Sequence, residues 1–129
     1  MKNLSKMLSV FVLMLLFVMT ANALTFEEAF SQTDKKPMVA IIYAQWAEDY
    51  QTFLNSFRDV QEDFADTYNF TELDIATKDA KFFNDKFHIY PHLPYVLMFR
   101  DNGKVSRYIP KDCAKDASCM RTKLKSFVL

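Results

Sequence analysis

Apolar residues along the chain follow two different periods, and the change between them predicts an α/β fold. From Glu48 to Tyr68 they recur every three or four residues, with polar side chains between them, which indicates an amphipathic helix. The run Met38–Tyr43 is instead continuously apolar, which is typical of a strand buried on both faces of a sheet. The helical positions are Tyr50, Phe53, Leu54, Phe57, Val60, Phe64 and Tyr68.

Shorter patterns complete the predicted order of elements. Thr25 and Glu28 have the spacing of a capping box and begin a short helix that ends before Lys35-Lys36-Pro37. Asn102-Gly103 predicts a tight hairpin turn. The remaining predicted elements are a strand over 70–75, a helix over 78–87 with Phe82, Phe83 and Phe87 as its apolar stripe, strands over 95–99 and 105–109, and a C-terminal helix carrying Met120, Leu124, Phe127 and Val128.

Residues 1–23 differ from the rest of the chain and are predicted to be a secretory signal peptide of bacterial type. Two lysines precede an apolar run over about 7–19, and Ala21-Asn22-Ala23 has the small-x-small pattern of a cleavage site. A bilayer-spanning helix needs about 20 apolar residues, so a retained anchor is the less favoured alternative. We therefore expect one domain over 24–129, located in the periplasm or secreted.

The composition argues against several classes of function. Half of the 129 residues are hydrophobic and only one is glycine, which predicts a packed core and leaves no Gly-rich phosphate loop. The formal charge is zero, and −2 without the two lysines of the signal segment, so nothing favours nucleic acid or, after cleavage, a membrane surface. We expect neither a cofactor nor a bound metal.

Two pairs of residues with possible chemistry have simpler explanations. His88 and His92 are four residues apart, but Pro91 breaks the helix that would align them on one face, so ordinary loop histidines are favoured over a metal site. Glu48 and Asp49 are adjacent, and adjacent residues of a helix point in different directions. Their expected place in the first turn of a helix, where the dipole favours carboxylates, explains them better than acid–base catalysis.

Cys113 and Cys119 are the only cysteines in the chain. In an oxidising compartment we expect them to form one short-range disulfide. Closing so short a loop would stabilise the fold by roughly 2–2.5 kcal/mol in the chain-entropy description.

Two stretches of the chain resemble the thioredoxin family. In Lys36–Tyr50, the Lys-Pro pair, the apolar strand and the sequence Tyr-Ala-Gln-Trp are similar to the approach to that family's Trp-Cys-x-x-Cys site. Leu93–Phe99, followed by Asn102-Gly103-Lys104, is similar to its cis-proline loop, strand and turn. The resemblance covers roughly 25–109. It implies a thioredoxin-like, three-layer α/β/α fold with a mixed central sheet, ordered βαβαββα after a leading helix.

The departures from the family pattern bear directly on function. The two cysteine positions are occupied by Ala47 and Tyr50, with Glu48 and Asp49 between them, so this site has no thiolate to attack a disulfide and no resolving thiol. The buried acid of many thioredoxins would fall at Ile41, which cannot titrate. We expect no catalytic residue at these positions.

The resemblance instead implies a surface that binds an extended protein segment or peptide. Its residues would be Trp46, Tyr50, Leu93, Pro94 and Tyr95. The leading hypothesis is a non-catalytic binding or adaptor module. The alternatives are that Trp46 and Tyr50 only pack the domain, that the protein is a subunit of a larger envelope complex, or that Cys113 and Cys119 perform thiol–disulfide exchange. A thioredoxin-like arrangement implies that these two cysteines, which follow the hairpin, lie away from the helix start beside Trp46 and from the Pro94 loop, so a structural bond is favoured. The sequence does not determine the oligomeric state.

Overall fold

The computed structural model describes residues 24–129, which form a four-stranded sheet with helices on both faces. The predicted signal peptide, 1–23, lies outside the described residues. Within 24–129, no helix is long and apolar enough to cross a bilayer. In chain order the elements are α1 (Phe26–Ser31), β1 (Met38–Tyr43), α2 (Tyr50–Phe64), β2 (Asn69–Asp74), α3 (Ala80–Phe87), β3 (Tyr95–Arg100), β4 (Val105–Ile109), α4 (Lys111–Ala114) and α5 (Ala117–Phe127).

The sheet is mixed, with strand order β2-β1-β3-β4. β1 runs parallel to β2 and antiparallel to β3, and β3 pairs antiparallel with β4. The predicted order βαβαββα after a leading helix is confirmed, with the short helix α4 as an addition. Strand β1 is buried along almost its whole length, as its continuous apolar run predicts, because it lies between two strands and two layers of helices.

Alternate side chains of the strands point to opposite faces of the sheet, and each face carries its own core. On one face, Val39 and Ile41 of β1 belong to a buried cluster that includes residues of α2 and α5. On the other face, Ala40 and Ile42 belong to a cluster that includes residues of α1 and α3. The second cluster is unusually aromatic, since Phe26 contacts the rings of Phe30, Phe82, Phe83, Phe87 and Phe99. The three-layer architecture is therefore confirmed.

The predicted helix over 48–68 is shorter at both ends. Asp49 has a left-handed φ of 63° and precedes the helix, so Glu48 and Asp49 lie in a turn and not in the first helical turn. At the other end the chain leaves α2 after Phe64, and the buried hydroxyl of Tyr68 donates a hydrogen bond to the carbonyl of Leu124, 2.6 Å away. Tyr68 fits the helical spacing of the apolar residues, but it lies beyond the end of α2, and its hydrogen bond connects this part of the chain to α5.

The remaining termini follow local sequence signals with small corrections. The capping box of Thr25 and Glu28 is present in both directions. Helix α3 begins at Ala80, two residues later than predicted. Val128 follows the end of α5 and is exposed. The prediction that it belongs to the apolar stripe of that helix is therefore wrong.

The hairpin between β3 and β4 turns over residues 101–104, where Lys104 N–H donates to the carbonyl of Asp101. Asn102 and Gly103 occupy the centre of this turn with φ of 60° and 76°, as the Asn-Gly signal predicts. Gly103 also approaches an aromatic ring closely. A Cβ atom placed on it would lie 2.4 Å from Cζ of Phe30, so both the backbone conformation and the close ring favour glycine here.

Candidate functional site

The two segments that carry the resemblance lie at the same end of the sheet. Ile42, near the end of β1, pairs with Tyr95, the first residue of β3. The turn that holds Trp46 follows β1, and the Leu93–Pro94 peptide, which is cis, immediately precedes β3. The antiparallel pairing of β1 and β3 therefore brings the tryptophan turn and the cis-proline loop to one edge.

Trp46 is the most exposed of the five residues that were predicted to bind a peptide. Its side chain is 71% exposed, whereas most tryptophan side chains are largely buried. The turn around it is held by backbone bonds, since Ala47 N–H donates to Ala44 and Tyr50 N–H to Ala47. A large apolar ring is thus presented to solvent by an ordered turn.

The two positions that carry cysteine in thioredoxins are occupied by packing residues. Ala47 is buried in the second cluster. The Tyr50 ring stacks on Tyr43 with centroids 6.0 Å apart and planes 4° from parallel. Burial, followed by the charges of Asp74 and Glu72, raises the pKa of Tyr43. Neither position carries a thiol.

The structure separates the five residues predicted to line a groove. Trp46 is exposed and Tyr50 is half-buried, but the side chains of Leu93, Pro94 and Tyr95 are buried. Leu93 and Tyr95 belong to the second cluster, so their side chains pack in the core beneath this surface. A ligand at this end could reach the ring of Trp46 and the backbone of the cis-proline loop, and the role of the five residues in binding stays a prediction.

Cys113 and Cys119 form the expected disulfide, which joins α4 to the first turn of α5 across a Cα–Cα distance of 5.1 Å. Cys113 is 6% exposed and belongs to the first cluster, together with Phe53 of α2. Lys115 Nζ lies 3.7 Å from a carboxylate oxygen of Asp49 and 5.5 Å from the ring centroid of Phe53.

These contacts correct one expectation about the disulfide. The α4–α5 turn packs against the start of α2, whereas the sequence interpretation placed the cysteines away from that helix start. The reason is topological: β4 ends at Ile109, which pairs with Val96 near the beginning of β3, so the chain returns to the end of the sheet where Trp46 lies.

The structure places the two histidines at the end of α3 and in the loop that follows it. Within residues 24–129, no group of three or more His, Cys, Asp or Glu side chains is arranged to hold an ion. His88 ends α3 with a left-handed φ of 62°, and His92 is exposed in the proline-rich loop. Both instead line a cavity of about 420 Å³ between α3, β3 and β4.

Sequence reasoning did not predict this cavity. Its buried walls come from α3 and β3, and its rim comes from the loop after α3 and from β4. The one signal in the sequence is that Tyr90 and Tyr108 are aromatic residues that belong to no apolar stripe of a predicted helix. In the structure both are exposed, and each ring centroid lies 6.3 Å from that of Tyr95.

Comparison with known proteins identifies the fold. No protein-family model matches the chain, and no curated protein matches it. Solved structures do match: the Trx4 domain of ERdj5 (TM-score 0.59, 16% identity, covering 73% of this chain and 81% of that one), and a thioredoxin of Fasciola hepatica (TM-score 0.60, 12% identity, covering 78% and 88%). A third is the complex of ferredoxin:thioredoxin reductase with thioredoxin f2 (TM-score 0.62, 17% identity, covering 81% and 88%).

Some of the matched chains are much longer. This chain spans 14% of ERdj5 in its form II structure and 48% of the J-Trx1 fragment of ERdj5. Identities of this size establish architecture and not activity. Together with the mixed sheet, the helices on both faces and the cis-proline before β3, these structures show that the chain has a thioredoxin-like fold.

Proposed function

We propose that this protein is an exported, non-catalytic thioredoxin-fold module that binds an extended segment of another protein at the end of the sheet where Trp46 lies. The single observation that carries the proposal is the 71% exposure of Trp46 in an ordered turn beside the cis-proline loop. Exposed tryptophan is costly in solvent and is strongly enriched among residues that dominate binding energies. Export rests on the predicted signal segment and on the disulfide, which suits an oxidising compartment.

Backbone groups beside Trp46 support recognition of an extended strand. The pairing of β1 with β3 stops at Tyr95, and within residues 24–129 no backbone hydrogen bond engages the peptide groups of Leu93. A bound segment could add its own N–H and C=O groups here in the manner of a β-strand. The tryptophan ring would then cover an apolar side chain of that segment.

The two positions that carry cysteine in thioredoxins agree with binding and not with exchange. Ala47 and Tyr50 hold no thiol, and Ala47 is buried. Without an attacking thiolate, no mixed disulfide can form at these positions. What remains is a surface that holds a partner without reacting with it.

The test uses Trp46, the chain's only tryptophan, as its own reporter. An unbiased library of extended peptides is screened against the purified protein, and binding is detected as a blue shift of the tryptophan emission. Calorimetry then compares the best peptide on the unmodified protein and on Trp46→Ala. We expect at least a tenfold loss of affinity, because anchors of this kind contribute about 1.4 kcal/mol or more.

A matched control distinguishes binding at this site from non-specific binding to exposed apolar residues. Val128 is also an exposed apolar residue, and Val128→Ala should leave the peptide affinity unchanged. Equal affinity of the unmodified protein and Trp46→Ala would remove this surface from consideration.

The contact between the disulfide turn and the start of α2 favours one second candidate, a thiol–disulfide oxidoreductase that uses Cys113 and Cys119. The ion pair between Lys115 and Asp49 places the sulfur-bearing turn beside the positions that are reactive in thioredoxins. Measurement of the reduction potential and of insulin reduction decides between the two. We expect a structural bond, with a potential below about −300 mV and no turnover; turnover that Cys113→Ser abolishes would establish the enzyme.

A further inference from the structure

The positive and negative side chains of the domain are segregated along the chain, although its formal charge is nearly balanced. Residues 24–99 carry thirteen acidic and six basic side chains, a net charge of −7, whereas residues 100–129 carry three acidic and eight basic ones, a net charge of +5. The second segment contributes β4, α4 and α5. Because β4 is the last strand in the order β2-β1-β3-β4, the positive charge is concentrated toward one edge of the sheet.

Part of this positive charge is neutralised within the domain. Arg121 is paired with two carboxylates of α2, and Arg100 with the neighbouring Asp101. Arg107 of β4 and Lys123 of α5 are different. Both are exposed, and no carboxylate of residues 24–129 forms an ion pair with either of them. These two side chains can therefore receive anionic groups from outside the domain.

Arg107 and Lys123 border the same cleft, which has a volume of about 350 Å³ and lies between β3, β4 and the C-terminal half of α5. Its lining includes the buried residues Met98 and Phe127, and among the described residues it includes no Asp or Glu. The Arg107 guanidinium donates one hydrogen bond to the carbonyl of Ser106, 2.8 Å away. A guanidinium has five N–H donors, so most of them stay available to a ligand.

Arg100 fixes one wall of the cleft. Its Nε donates a hydrogen bond to the carbonyl of Phe127 at 3.1 Å, and its guanidinium carbon lies 5.2 Å from the centroid of the Phe127 ring. These contacts connect the end of β3 to the end of α5. The two free basic groups are thus carried by elements whose relative positions are already set, which lowers the entropic cost of binding.

We propose that this cleft binds an extended acidic segment of another protein, and that Arg107 and Lys123 receive its carboxylates. A guanidinium holds a carboxylate through two parallel hydrogen bonds. Within residues 24–129, β4 pairs only with β3, so the segment can also form backbone hydrogen bonds along the free edge of β4. The acidic remainder of the domain repels such a segment and directs it to this edge.

Two other anionic or oppositely charged occupants fit less well. A second copy of this chain cannot pair edge to edge through β4 without bringing like charges together, and basic side chains on an edge strand oppose such pairing. An anionic membrane would attract the basic edge but repel the acidic remainder, since residues 24–129 have a net charge of −2. A cleft also surrounds an extended chain more completely than it surrounds a flat bilayer surface.

The cleft is distinct from the peptide-binding surface proposed above. Strand β3 begins at Tyr95, beside the turn that holds Trp46, and ends at Arg100, which lines the cleft. The two surfaces therefore lie at opposite ends of this strand.

The test is fluorescence anisotropy of a labelled peptide of alternating glutamate and threonine, with a peptide of alternating glutamine and threonine as the uncharged match. The glutamate peptide should bind at an ionic strength of about 0.01 M and lose about tenfold in affinity at about 0.15 M, where screening is stronger. The glutamine peptide should not bind. The double variant Arg107→Gln, Lys123→Gln should weaken binding of the glutamate peptide about tenfold, because it removes two exposed charge pairs.

A matched double variant separates the cleft from the overall charge. Lys35→Gln with Lys78→Gln removes the same charge from exposed positions in the acidic part of the domain, and it should change the affinity less than about twofold. Trp46→Ala should leave binding of the glutamate peptide intact, so this site and the peptide-binding surface can fail independently.

Four outcomes would overturn the proposal. They are absence of binding of the glutamate peptide at low ionic strength, an equal loss of affinity in the two double variants, binding to phosphatidylglycerol vesicles without binding to the peptide, and self-association in sedimentation velocity that the Arg107→Gln, Lys123→Gln variant abolishes. Circular dichroism of each variant verifies that the domain is folded in every comparison.

Discussion

Replacement of Gly103 by alanine should destabilise the domain, because this residue combines a left-handed backbone with close contact to a ring. Its φ is 76°, and an added Cβ would lie 2.4 Å from Cζ and 2.9 Å from Cε2 of Phe30. The left-handed conformation costs an L-residue roughly 1–2 kcal/mol, and forcing a methyl group into a filled space typically costs about 1–3 kcal/mol. Phe30 is only half-buried and can move, so we expect a total loss of about 2–3 kcal/mol.

The measurement is urea denaturation followed by far-UV circular dichroism. The midpoint should fall by roughly 1–2 M with an unchanged slope. Asn102→Ala is the matched control: Asn102 also has a positive φ of 60°, but it is already an L-residue, so this change should cost less than Gly103→Ala.

A double-mutant cycle then isolates the contact with the ring. In a Phe30→Ala background the cost of Gly103→Ala should fall to about 1–2 kcal/mol, the backbone part alone. If the full cost persists without the ring, or if Gly103→Ala changes stability by less than about 0.5 kcal/mol, the reasoning is refuted.

Three further changes follow from other contacts. Serine at both Cys113 and Cys119 should lower the free energy of unfolding by roughly 2–2.5 kcal/mol relative to the disulfide-bonded protein, measured by urea denaturation, and the reduced unmodified protein should be about as stable as the variant. Tyr68→Phe should cost about 1 kcal/mol, because it leaves the carbonyl of Leu124 without its donor. Burial raises the pKa of Tyr68, so the unfolded state loses this proton first; stability should fall as pH rises above about 10, and less steeply in Tyr68→Phe. Trp46→Ala should change stability by less than about 0.5 kcal/mol, as an exposed side chain predicts; a large loss in thermal denaturation would show that the ring packs the domain.

The sequence predicted those features that depend on short-range patterns. The continuous apolar run of β1 and the capping box of Thr25 and Glu28 specify their elements locally, and both are confirmed. The start of α2 was misplaced because helical period does not report the backbone of Asp49, whose left-handed φ ends the turn before the helix. Tyr68 fits that period equally well, but the chain has already left the helix there to form a tertiary hydrogen bond.

The candidate sites were less accessible to sequence reasoning. The resemblance placed Trp46 and Pro94 at one end of the sheet, as the strand pairing confirms, yet it gave no information on which side chains are buried there. Tyr95 faces the second cluster because it alternates with Val96 of the first cluster, and only the register of β3 reveals this. The cavity depends on the placement of α3 relative to β3 and β4, for which the sequence carries no local signal.

The aromatic cluster around Phe26 has a consequence for biosynthesis. Phe26 lies in the first helix and contacts Phe99 in the third strand, so the contact closes a long loop of chain. Contacts at such sequence separation form late and slow folding. During synthesis this aromatic layer stays incomplete until nearly the whole sheet has left the ribosome.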